Sequence, residues 1–256
     1  MTDTFSLAGR NVFITGASSG LGEHFAFVSA KAGAKVIVGA RRLDRLQSLE
    51  SSLRKTGAPA TLAVSLDVTE ESSIRAALAK ANDMFGPLDV VVNNAGVTST
   101  KAALDQSSDD FDQVMDTNLR GVWLVATEAA RQWVGLKHGG SIINVASILG
   151  TRVAGAVAPY AISKAGVIQM TKALALEWAR YDIRVNALAP GYVATPLNDD
   201  FFKTEQGQTL IRRIPMRRIG NLNDLDGPFL LLASDASRFM TGTTVDVDGG
   251  HLVSSL

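Results

Sequence analysis

Short apolar runs alternate with longer amphipathic ones along this chain, and that alternation leaves few folds open. Residues 11–15 (NVFIT), 35–39 (KVIVG), 60–66, 88–92, 141–146 (SIINVA), 183–188 and 243–247 have the character of strands. Helical periodicity lies between them, over 21–32, 70–85, 109–133, 160–180 and 222–233. A further helix follows the second run, with Leu43, Leu46, Leu49 and Leu53 on one face. The fourth run contains Asp89-Val90-Val91-Val92, apolar enough to be buried on both faces. Strand–helix alternation of this kind predicts an α/β fold, a single doubly wound domain over 1–256 whose seven-stranded parallel sheet is flanked by helices on both faces. The one irregular stretch, about 196–220, is polar and charged and reads as a substrate flap. Pro228 fits a helix only in its first turn, so the last helix is expected to start later than its periodicity suggests.

Composition narrows the function classes. The 256 residues are 46% hydrophobic, enough for a core without staples. Cysteine is absent, which excludes disulfides, thiol catalysis and cysteine-held metals, and no metal site is expected. Lysine plus arginine equals aspartate plus glutamate at 25 each, without the basic excess of a nucleic-acid binder. The first six residues lack a signal-peptide layout, and no apolar run approaches the ~20 residues that span a bilayer. A soluble, cytoplasmic protein with neither nucleic acid nor membrane as partner is expected.

The first strand leads into Thr15-Gly16-Ala17-Ser18-Ser19-Gly20-Leu21-Gly22. Glycines here allow a tight turn and a close backbone approach to a pyrophosphate, and the helix that follows adds partial positive charge. The same residues spell the G-x-S-x-G of a hydrolase elbow (Gly16, Ser18, Gly20). That reading needs an acid and then a histidine later in the chain. His24, His138 and His251 are the three available, and none is suitably placed. At the end of the second strand, an acid would bind the ribose of NAD, whereas arginine would pair with the 2′-phosphate of NADP. Gly39-Ala40-Arg41-Arg42 carries no acid, which favours NADP(H) over NAD(H). Arg41 and Arg42 also read as the solvated start of the next helix. Asp67 is placed either to reach an adenine edge or to cap the helix after it.

Tyr160 and Lys164 are four residues apart at the start of a predicted helix, on one face. A lysine cation ~5 Å from the phenol, at an effective dielectric of ~20, would favour the phenolate by roughly 3 kcal/mol. The phenol would then be useful for proton transfer near neutral pH. Ser147 ends the fifth strand, where an open sheet places its ligand crevice, and its hydroxyl would hold a substrate oxygen.

These features in order resemble the short-chain dehydrogenase/reductase family over about residues 7–250. The match rests on the 15–22 turn, Asp67-Val68, Asn93-Asn94-Ala95-Gly96, Asn118, Ser147, Tyr160 with Lys164, the 190–196 stretch PGYVATP, and Val247-Asp248-Gly249-Gly250. The resemblance implies a Rossmann-type fold. Its cofactor-binding set would be Gly16, Ser18, Ser19, Gly20, Leu21, Gly22, Arg41, Arg42, Asp67, Val68, Asn94, Ala95, Gly96, Tyr160, Lys164, Pro190, Gly191, Val193 and Thr195. Asn118 would hold a water relaying protons through Lys164, completing a catalytic group of Asn118, Ser147, Tyr160 and Lys164. A homotetramer is implied, with the helices near 110–133 and 160–180 forming one contact.

The expected reaction moves a hydride between NADP(H) and a small ketone or secondary alcohol. Val97, Leu149, Val153, Val157 and Tyr192 are the pocket candidates, and their apolar character favours a neutral or hydrophobic substrate. A 3-oxoacyl thioester is the alternative substrate. A non-catalytic NADP-binding regulator is the alternative of another class, and the intact Asn118, Ser147, Tyr160 and Lys164 argue against it.

Overall fold

The computed structural model describes residues 4–194 and 199–254. Seven strands, β1 (Asn11–Thr15), β2 (Lys35–Ala40), β3 (Thr61–Ser65), β4 (Val90–Asn93), β5 (Gly140–Val145), β6 (Ile183–Pro190) and β7 (Thr244–Val247), form one sheet. Their order is β3-β2-β1-β4-β5-β6-β7, and every pairing is parallel. The chain reverses its direction of travel across the sheet between β1 and β4. The loops leaving these two neighbours therefore diverge and open a crevice at the strands' carboxyl ends.

Strand periodicity accounts for the two cores. Val12 and Ile14 of β1, Val36 and Val38 of β2, and Val90 and Val92 of β4 face α1 (Gly20–Lys31), α2 (Leu43–Lys55) and α9 (Asp226–Ala233). The intervening Phe13, Ile37 and Val91 face α3 (Glu71–Phe85), α5 (Gly121–Leu136) and α6 (Ala158–Trp178). Because both faces are covered, these strands read as continuous apolar runs instead of alternating ones. Phe25 of α1 and Phe229 of α9, both fully buried, stack with centroids 4.5 Å apart and planes within 10°.

A buried amide chain links the sheet to α6. Asn93 Nδ2 donates to Asn144 Oδ1 at 2.9 Å, and Asn144 Nδ2 donates to Thr171 Oγ1 at 2.9 Å. The Thr171 hydroxyl donates to the Val167 carbonyl within the helix. This chain fixes α6 against β4 and β5.

The helix predicted over 109–133 is divided. It comprises α4 (Ser108–Met115), a π-helical turn (Asp116–Arg120) and α5. The flap is more regular than its composition suggests. Within it lie α7 (Asp199–Lys203) and α8 (Glu205–Arg213), while 196–198 fall outside the described residues. The last helix starts late, as Pro228 requires. A 3-10 turn over Leu222–Leu225 precedes α9, and Pro228 is its third residue.

Phe229→Ala should lower the unfolding free energy by ~3–5 kcal/mol, because the stack leaves little room for collapse around the cavity. Urea titration at constant pH measures this. A loss below about 1 kcal/mol would show that the stack does not hold α1 to α9.

Candidate active site

The glycine turn packs on the end of β4. Gly16 and Gly20 adopt positive φ, at 66° and 61°. A Cβ on Gly22 would lie 2.4 Å from Asn94 Nδ2 and 2.6 Å from the Gly16 carbonyl oxygen, so only glycine lets α1 start this close to β4. A Cβ on Gly20 would meet nothing within 4 Å, so the space above the turn is open. Thr15 and Asn94 hold the diverging loops together. The Thr15 hydroxyl accepts from the amides of Asn94 and Ala95 at 3.0 and 3.1 Å, and Asn94 Nδ2 donates to the carbonyls of Thr15 and Gly16. Thr15 is a positioning residue that no sequence signal singled out beyond its place in the turn.

The two arginines after β2 sit apart. Arg42 Nη2 donates to the hydroxyls of Ser18 and Ser19 at 2.8 and 3.2 Å, which puts its charge at the mouth of the turn. Ser19 is also the N-cap residue of α1, and its side chain makes no capping bond to the helix amides. Arg42 is itself the N-cap residue of α2 and is exposed, so the helix-start reading also holds. Burial acts to raise the Asp67 carboxyl pKa, but bonds from the Thr69 amide and hydroxyl, with a smaller contribution from the Arg41 charge, lower it overall. The cap expected of Asp67 is corrected: Glu70 is the N-cap residue of α3, and Asp67 Oδ1 instead accepts from the Thr69 amide and hydroxyl in a local turn. Val68 is buried against Gly121. An open glycine turn, a helix amino end and a guanidinium form a cradle that suits the phosphates of a dinucleotide.

Ser147, Tyr160 and Lys164 come together at the carboxyl end of β5. Ser147 follows that strand and starts a 3-10 turn (Ile148–Gly150), its hydroxyl accepting from the Leu149 amide at 3.1 Å. Lys164 is buried, and its Nζ donates to the Val145 carbonyl at 2.7 Å. The same Nζ lies 5.6 Å from the centre of the Tyr160 ring. With that one neutral acceptor, burial depresses the lysine pKa to about 8.

The expected depression of the phenol's pKa is overturned. Burial raises the Tyr160 phenol above its usual value. A hydrogen bond with Ser147 opposes the rise, and nearby Tyr192 adds to it. Removing the phenolate from water dominates the shift. A phenol raised above its usual value is neutral near neutral pH and is a proton donor.

Asn118 sits in the π-helical turn and is fully buried. Its Oδ1 accepts from the Val97 amide at 2.8 Å, while Nδ2 donates to the Val97 carbonyl at 2.9 Å and to Ser163 Oγ at 3.2 Å. The side chain is used up in pinning the Val97 peptide. Ser163, one residue before Lys164, is a second positioning residue absent from the sequence-based set.

Two adjoining cavities open here. The smaller, about 360 Å³, is lined by Asn94, Gly96, Val97, Ser147, Tyr160, Lys164, Pro190, Gly191, Tyr192 and Val193, among others. The larger, about 620 Å³, adjoins it at Tyr192 and reaches beneath the flap. Leu149 and Val153 line the larger cavity as expected of a pocket. Val157 is the N-cap residue of α6 and lines neither, because the helix starts two residues earlier than its periodicity suggested. Thr195 lies outside the described residues. The mainly apolar pocket is also corrected, since Arg152, Glu205, Gln206, Thr209, Arg213 and His251 line the larger cavity. These residues come from the flap, the loop after Ser147 and the C-terminal segment, and strand and helix periodicity do not register which of their side chains turn inward.

The family model described as Enoyl-(Acyl carrier protein) reductase matches residues 16–251. The 2-dehydro-3-deoxy-D-gluconate 5-dehydrogenase of Dickeya dadantii is 38% identical, over 98% of this chain and 98% of that protein. The 3-oxoacyl-(acyl-carrier-protein) reductase FabG of Thermotoga maritima is 37% identical, over 96% and 99%. Among solved structures, a gluconate 5-dehydrogenase from Burkholderia cenocepacia in complex with NADP and tartrate is similar with a TM-score of 0.94 at 36% identity, covering 99% of each chain.

The depressed Lys164 pKa makes a prediction about stability. Above about pH 8 the folded lysine is neutral, while the unfolded one keeps its proton up to ~10.4. The unfolded state binds more protons in that window, so this group's contribution to stability grows as pH rises through it and is lost as pH falls through 8. The stability of the protein relative to Lys164→Met should therefore increase by about 3 kcal/mol between pH 7.5 and 10.5. Urea titrations of both proteins across this range measure the difference, and a flat difference would mean that Lys164 is not held in a dry site.

Proposed function

The chain belongs to the short-chain dehydrogenase/reductase family, and from that premise we propose that it is an NADP(H)-dependent oxidoreductase interconverting a small ketone and its secondary alcohol. The observation carrying this proposal is the juxtaposition of Ser147, Tyr160 and Lys164 on the wall of one cavity. When bound, the nicotinamide supplies or takes up the hydride.

The protein's own residues handle the oxygen and its proton. Ser147 and Tyr160 line one cavity wall, so a substrate oxygen entering there meets two hydroxyl groups able to donate. For reduction, the neutral phenol gives its proton to the oxygen. For oxidation it takes the proton back, and a cationic Lys164 nearby stabilises the phenolate while that happens. The Lys164 Nζ has one of its hydrogens on the Val145 carbonyl and others left for a ribose hydroxyl. Proton relay at Asn118 would run through its backbone carbonyl, because its side chain holds the Val97 peptide.

Arg42, with Ser18 and Ser19, supports NADP(H) over NAD(H). The structural relative bound with NADP supports the same choice. Polar lining of the larger cavity favours a hydrophilic substrate over the hydrophobic ketone that the sequence suggested. A cytoplasmic homotetramer completes the proposal. Trp123 on α5 and Ile162 on α6 are both about half exposed and lie where the resemblance puts one contact.

Tyr160→Phe should abolish carbonyl-dependent NADPH oxidation, followed at 340 nm, by at least ~100-fold while leaving NADPH binding by fluorescence intact. Retained turnover would overturn the assignment of the phenol. Arg42→Leu should raise the KM for NADPH by roughly tenfold, the worth of a charge-assisted contact, and change that for NADH little. Equal effects on both cofactors would show that Arg42 does not read the 2′-phosphate.

A further inference from the structure

We propose that Arg152 and Arg213 form a carboxylate-binding subsite in the larger cavity, so that the substrate is an oxo- or hydroxy-carboxylic acid whose carboxylate lies away from the reacting carbon. This rests on the proposed catalytic role of Ser147 and Tyr160, and it names the substrate class for that site.

Position is the first observation. Arg152 is five residues beyond Ser147, just after the 3-10 turn that Ser147 starts. Arg213 is the last residue of α8 in the flap. Two elements far apart in sequence thus bring guanidiniums to one cavity. Tyr192 lines this cavity and the one that holds Ser147, Tyr160 and Lys164. A substrate held at Ser147 and Tyr160 would extend past Tyr192 toward the arginines.

Charge is the second. Arg152 Nη1 donates to the carbonyl of His251 and to Ser254 Oγ, both neutral acceptors. Among the described residues, neither Arg152 nor Arg213 forms an ion pair with a carboxylate. Both charges reach the His251 imidazole, whose pKa is lowered first by burial, then by Arg152 and less by Arg213. Asp248 opposes them, but its carboxylate already accepts the Gly250 and Leu252 amides. The Arg213 side chain, in the last turn of α8, also suits the helix dipole, as any basic residue there would. Arg152 ties down the C-terminal segment through the same Nη1, and neither role explains why both guanidiniums line one cavity.

The remaining lining refines the class. Glu205, Gln206 and Thr209 lie along α8 on the same cavity and offer acceptors and donors for hydroxyl groups. Ile148, Leu149, Val153 and Leu210 give the same cavity an apolar side, which would pack the carbon backbone of a hydroxylated molecule. A polyhydroxylated acid would find two cations for its carboxylate and polar groups for its hydroxyls, and about 620 Å³ accommodates a chain of six carbons.

Calorimetric binding separates the subsite from the chemistry. The NADP-loaded Tyr160→Phe protein is titrated with a panel of three- to seven-carbon hydroxy acids, D-gluconate among them, each paired with its neutral amide. At least one acid should bind roughly tenfold or more tighter than its amide. Arg213→Gln, at an exposed position, should weaken that acid by roughly ten- to a hundredfold and leave the amide unchanged, with partial recovery in Arg213→Lys. Arg152→Gln should act in the same direction, with circular dichroism checking that loss of its bonds to the C-terminal segment has not unfolded the chain. The subsite is overturned if no acid binds better than its amide, or if Arg213→Gln leaves acid binding unchanged. These results are independent of turnover. Loss of the Tyr160 assignment, through retained activity of Tyr160→Phe, would leave an acid-binding result standing, and failure of the arginine variants would leave the oxidoreductase standing.

Discussion

The bond from the Lys164 ammonium to the Val145 carbonyl, 2.7 Å long and buried, joins the helix that carries the phenol to the strand that leads into Ser147. Removing a lysine from water is costly unless its charge is compensated. This one has a single neutral acceptor, and its pKa falls to about 8 accordingly. The site therefore holds a cation that is poorly solvated before any cofactor arrives. The buried Asn93–Asn144–Thr171 chain supports the same helix one layer deeper, so the helix that carries Tyr160 is held from two sides.

A second constraint acts where β1 and β4 part. Parallel neighbours whose loops leave in opposite directions produce a crevice, but nothing in that geometry holds the loops at a fixed separation. Thr15 and Asn94 do so, through hydrogen bonds that cross from one strand end to the other. Gly22 allows α1 to approach closely enough for those bonds to form. On the far side, Asn118 fixes the Val97 peptide, and its π-helical turn sets that amide apart from the regular helix on either side. The glycines, amides and hydroxyls around the crevice thus have packing roles of their own, alongside any contact with a ligand.

Much of this was legible from residue order. The seven apolar runs correspond to seven strands with ends displaced by two residues at most, because burial on both faces leaves an unbroken apolar signature. The candidate catalytic group was legible because Asn118, Ser147 and Tyr160 with Lys164 a helical turn on occur in a family-like order. Two expectations, and one of the two readings of Asp67, failed for a common reason. The Tyr160 pKa depends on how deeply the phenol and the lysine are buried, Asp67 on which amide is nearest, and the polarity of the pocket on which loop side chains turn inward. None of these has a period in the sequence.

Apolar periodicity was enough to indicate the fold class and the crevice, since helix and strand geometry repeat every few residues and can be read locally, while the candidate reacting groups came from motifs in a family-like order. Tertiary structure alone decided the electrostatics and the cavity shape. Arg152, Arg213 and His251 meet in one cavity across about 100 residues of chain, and desolvation at Tyr160 is produced by residues from several elements. Through-space distances set such energies, and they become defined only once the chain has closed on itself.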